Sequence, residues 1–60
     1  MYGFEAQYEN WKTQEKRTQL IEVEEQFFDS VKEIYVYAMG KAYDMRKAGE
    51  ELNQLEFIYC

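Results

Sequence analysis

Apolar positions in the second half of the chain recur in steps of three and four or their sum. Phe27, Val31, Ile34, Ala38, Met45, Ala48, Leu52, Leu55 and Tyr59 keep one phase, and Phe28, Tyr35 and Ala42 widen it on one side. That spacing predicts an amphipathic helix. The phase crosses Gly40 unbroken, so the helix is expected to continue through it at a cost of about 1 kcal/mol against alanine. The alternative is that Gly40 caps one helix at Met39 and Asp44 opens the next. Upstream, Ser30-Val31-Lys32-Glu33 has the form of a capping box, in which the serine accepts from the third amide and the glutamate reaches back.

The first half has a weaker pattern. Phe4, Tyr8 and Trp11 share one helical face, Leu20, Val23 and Phe27 share another, and no proline or glycine lies between Glu5 and Phe27. The predicted fold is therefore all-α: a two-helix hairpin, residues 5–27 and 30–58, associating into a helical bundle with coiled-coil packing. One long continuous helix, or a break at Gly40, would fit the same phase. The alternation Tyr2, Phe4, Ala6, Tyr8 also fits a short strand.

Length changes the picture, because a chain of 60 residues forms a single small domain, and such a domain buries only about 60% of the surface its unfolded form exposes. Small domains make up the shortfall with disulfides, a metal, unusually good packing or association. The lone Cys60 and the absence of histidine remove disulfides and thiol or imidazole metal sites. Glu22, Glu24 and Glu25 would be the remaining ligands, and a solvated face accounts for them. No catalytic residue, metal or cofactor is called for: no serine or cysteine has a histidine to activate it, and Glu50 and Glu51 have no evident partner to pull their pKa values apart. No apolar run approaches the ~20 residues of a membrane span. The start, Met1-Tyr2-Gly3-Phe4-Glu5, lacks the pattern of a secretory signal, which sets the expectation of a cytoplasmic protein.

Packing and association remain, and 47% hydrophobic content supplies the material. Between Ile34 and Met45 only Lys41 and Asp44 are charged, and Val36, Met39 and Tyr43 form a second stripe away from the first. A helix apolar on nearly every side is normally buried all round. Self-association is thus expected through Phe27, Val31, Ile34, Ala38, Ala42, Met45, Leu52 and Leu55, giving a homo-oligomer and foremost a dimer. Trp11, Val36, Tyr37, Met39 and Tyr43 are the residues expected to meet a different protein. A net charge of −5 with interspersed bases argues against direct nucleic-acid binding, and the lack of a long apolar run sets the expectation of no membrane partner. The functional expectation is an acidic protein-protein interaction module, an adaptor or inhibitor. A structural subunit of a larger assembly is the second reading. The third is an acidic mimic that occupies a nucleic-acid-binding protein, carried by acids such as Glu15, Glu22, Glu24, Glu25 and Asp29.

Overall fold

The computed structural model describes residues 1–60 and overturns the all-α expectation. It contains a three-stranded antiparallel sheet and one helix, 45% strand and 28% helix. There is no helical hairpin and no coiled coil. Strand β1 spans Tyr2–Asn10, β2 spans Lys16–Val23, and β3 spans Glu50–Tyr59. Helix α1, Val31–Asp44, lies between β2 and β3 in the chain, after a single 3-10 turn at Glu25–Phe27. The sheet order is β2-β1-β3. Both edge strands run antiparallel to β1 and hence parallel to each other, so the connection between them must cross over the sheet, and α1 makes that crossing.

The first strand forms because its pattern has a period of two. Phe4, Ala6 and Tyr8 are buried, while Glu5, Gln7 and Glu9 between them stay partly open. The chain then reverses at Asn10, whose side-chain Oδ1 accepts from the backbone N–H of Lys12 at 2.9 Å and of Thr13 at 3.1 Å. An Asx turn of this kind needs neither proline nor glycine. Gln14 completes the reversal in the left-handed region, at φ 63°. On β2, Arg17, Gln19, Ile21 and Val23 lie opposite Tyr8, Ala6, Phe4 and Tyr2, so Ile21 and Val23 join the buried face.

The third strand carries its apolar residues at helical spacing. Leu52 lies opposite Tyr8 and Leu55 opposite Ala6, with the register shifted between them. The extra residue, Asn53, forms a bulge. Two leucines three apart therefore point the same way on a strand, as they would on a helix.

Helix α1 starts where the capping box places it. Ser30 Oγ accepts from the Glu33 amide at 3.2 Å, and the Glu33 carboxylate accepts from the Asp29 amide at 3.0 Å. The helix runs through Gly40, as its phase predicts. It buries Ile34, Ala38 and Ala42 against the sheet. The core is completed by Phe4, Ala6, Tyr8, Ile21, Val23 and Leu55. A Cβ at Gly40 would meet nothing within 4 Å. Gly40→Ala is thus expected to raise stability by about 0.5–1 kcal/mol through helix propensity alone, read as an upward shift of the denaturant midpoint at unchanged slope.

Candidate functional site

The molecule is two layers thick, with Cα extents of 39 × 18 × 13 Å, and α1 covers one face of the sheet only. The other face stays open, and its residues follow from the register. Residues directly opposite in an antiparallel pair point to the same side, so Glu5, Gln7 and Glu9 share the open face with Leu20, Thr18 and Lys16 on β2. From β3, Glu56, Gln54 and Glu51 join them. Glu5 stands directly opposite Glu56, and Glu9 directly opposite Glu51. Glu22, opposite Gly3, adds a fifth carboxylate. Lys16 is the one base on this face.

Side-chain amides hold these acids in place. Gln7 Nε2 donates to Glu5 Oε1 at 3.3 Å and to Glu56 Oε2 at 3.5 Å, and Asn53 Nδ2 donates to Glu9 Oε1 at 3.2 Å. At the far end of the face, the Tyr59 hydroxyl donates to Glu22 across β1. Only glycine at residue 3 permits this, because a Cβ there would overlap the Tyr59 ring. The hydrogen bond to the Glu22 carboxylate raises the Tyr59 phenol above its ordinary value.

A second polar group closes the opposite end of the fold. Arg17 donates to Glu50 through Nε at 3.0 Å and Nη2 at 2.7 Å, a bidentate pair, and Nη2 also donates to the Met45 carbonyl at 3.2 Å. Its guanidinium lies 4.3 Å from the centre of the Tyr8 ring, within cation-π range. The Glu50 side chain is only 7% exposed, and it also accepts from the Lys47 amide at 2.8 Å. These bonds, Arg17's first and Lys47's next, hold the Glu50 carboxyl down to about 2 from the usual 4.5. The expectation that Glu50 lacks a partner is corrected here, for its partner is 33 residues away in sequence.

This pair makes stability depend on pH. A carboxyl whose folded pKa is depressed contributes fully above its unfolded value and loses that contribution as pH falls toward its folded value. Wild type is expected to hold a constant advantage over Glu50→Gln above pH ~5, shrinking between ~4.5 and ~2. Urea midpoints of the two proteins across that range check it, and parallel profiles would contradict it.

No family model, curated protein or solved structure matches this chain. No helix is long and apolar enough to cross a membrane, and no three acidic or cysteine side chains converge as a metal ion would require.

Of the residues expected to drive self-association, Ile34, Ala38, Ala42 and Leu55 lie in the chain's own core, and Met45 and Leu52 pack half-buried against it. Phe27 and Val31 are exposed. Among the expected partner-binding residues, Val36, Tyr37 and Tyr43 are exposed on α1, Val36 at 60%. Tyr37 packs on Phe28 with ring centres 5.2 Å apart. Met39 is half-buried against the core, and Trp11 sits instead on the hairpin turn beneath Lys12. Sequence reasoning missed the open acidic face altogether. Its available signal was the alternation of Glu5, Gln7 and Glu9 between Phe4, Ala6 and Tyr8, which is legible as a face only once β1 is taken as a strand.

Proposed function

We propose that this chain is a small acidic protein-protein interaction module whose open sheet face docks onto a basic surface of another protein, as an inhibitor or adaptor. The observation that carries the reading is the direct opposition of Glu5 with Glu56 and of Glu9 with Glu51 on an uncovered face. Like charges directly opposite destabilise a sheet by about 0.2–1 kcal/mol per pair. A chain of this size has little stability to spare, so an arrangement that lowers it points to a role outside folding. Rows of carboxylates fixed by Gln7 and Asn53 form a pre-set negative surface, and such surfaces steer and select basic partners.

A partner with this charge density of its own is found in clefts that neutralise nucleic-acid phosphates, which makes occupation of such a cleft the second reading. Protein recovered by cross-linking in the native source tests both. The triple variant Glu5→Gln, Glu51→Gln, Glu56→Gln is expected to fold with a raised thermal midpoint and to lose the partner. Raising salt from about 0.05 to about 0.5 M should release the partner from wild type. Release by a duplex oligonucleotide marks the second reading. Retention of the same partner by the triple variant, or an affinity flat with salt, overturns the proposal.

A further inference from the structure

We propose that β2 is a self-pairing edge, and that two copies of this chain join through it into one continuous six-stranded sheet. The free backbone groups of this edge can be assigned. In the closing pair of the β1–β2 hairpin, the Asn10 amide donates to the Glu15 carbonyl at 2.8 Å. Antiparallel ladders alternate between bonded and non-bonded pairs, and the register runs on from this pair through Glu9↔Lys16 and Tyr8↔Arg17. The residues of β2 that bond to β1 are therefore Arg17, Gln19, Ile21 and Val23. Lys16, Thr18, Leu20 and Glu22 turn their N–H and C=O groups to the open edge. Consistent with this, the Leu20 carbonyl accepts from the side chain of Gln19 at 3.2 Å. None of the four takes part in a backbone bond outside the sheet.

The two edges of the sheet differ in how they treat an incoming strand. β3 carries register shifts at two places along its length and three acids, Glu50, Glu51 and Glu56, with no base. Bulges and uniform charge are devices that block edge pairing. β2 has an unbroken register with β1, no proline, and both signs of charge. Its sequence is complementary to itself in one antiparallel register centred on Gln19. There Lys16 lies opposite Glu22 of the second copy, Thr18 opposite Leu20, and the same pairs repeat by symmetry. All four outward-facing residues then find a bonded partner. Centring on Thr18 sets Glu22 against Gln14, and centring on Leu20 sets Lys16 against Glu24, both beyond the ends of β2, so the Gln19 register alone pairs all four outward-facing residues within the strand. Pairing between residues of like parity keeps the faces in line, so both helices fall on one side and the two acidic faces merge on the other.

Pairing through β2 is independent of any partner on the acidic face, and association alone reads it. Sedimentation velocity from about 10 µM to about 1 mM should show a reversible monomer-dimer equilibrium, weak because a single paired edge is small for a protein interface. Lys16→Glu replaces two attractive pairs with repulsive ones and should weaken the dimer about tenfold, while Lys16→Glu with Glu22→Lys should restore it. Thr18→Pro removes an outward N–H without touching the β1 ladder and should leave a monomer with unchanged circular dichroism. Hydrogen exchange on wild type needs no variant: the amides of Lys16, Thr18, Leu20 and Glu22 should become protected as concentration rises. A monomer throughout the range, a dimer indifferent to Lys16→Glu, or edge amides that exchange freely at every concentration would overturn the proposal.

Discussion

Tyr8→Ala is expected to leave the chain largely unfolded at 25 °C. Tyr8 sits on the central strand with 1% of its surface exposed, and its hydroxyl donates to the Ala42 carbonyl at 2.6 Å. It thus ties sheet to helix by packing and by a buried hydrogen bond at once. Burial raises its phenol above the ordinary value, with Arg17 acting in the opposite direction, so the hydroxyl stays a donor at neutral pH. Truncating a buried aromatic to alanine costs about 3–5 kcal/mol. At roughly 0.05–0.15 kcal/mol per residue, the total stability of a chain this long is about 3–9 kcal/mol. Tyr8→Phe separates the two contributions, since it keeps the ring and strands the Ala42 carbonyl, at a cost of about 1–3 kcal/mol. Amide dispersion in NMR spectra and guanidinium unfolding check both. A cooperative Tyr8→Ala transition close to that of wild type would show that the ring is not the centre of the core.

The contrast between what was legible in the sequence and what was not is physical. Helix α1 was legible because its signals are local: Ser30 and Glu33 form the cap, and Ile34, Ala38 and Ala42 recur every four residues. β1 was legible as an alternative, through Tyr2, Phe4, Ala6 and Tyr8. The turn at Asn10 was not, because its reversal rests on one side-chain oxygen accepting from two amides rather than on glycine or proline. β3 carries a helical spacing because a bulge at Asn53 converts a two-residue period into a step of three. Gly49, at φ 84°, marks the break that the continuous helical phase ran through.

The candidate site was hidden for a related reason. A helix face such as that of Val36 and Tyr43 can be traced along the chain. The carboxylate rows join Glu5 and Glu9 to Glu51 and Glu56 across more than 40 positions, and no local pattern reports such a pairing. The same holds for Arg17 and Glu50. Segregation of charge follows from the topology, since the crossover that carries α1 to one side leaves the other side with no chain to cover it.

The same topology makes the alanines between helix and sheet intolerant of added volume. Ala6, Ala38 and Ala42 have no exposed surface, and together they let the α1 backbone settle close enough to the sheet for the Ala42 carbonyl to reach the Tyr8 hydroxyl. Ala38→Leu adds three carbons midway between Ile34 and Ala42, where the helix has no room to receive them. Overpacking of this kind costs about 1–3 kcal/mol, and more when the backbone must move. Here it must move, because lifting α1 also breaks the Tyr8 bond and loosens Arg17 from the Met45 carbonyl. The expected result is a loss of stability comparable to that of Tyr8→Phe plus the packing term, and a smaller further loss on adding Tyr8→Phe to Ala38→Leu than to wild type. A double-mutant cycle measures that coupling, and strict additivity would mean that the helix does not rest on these alanines.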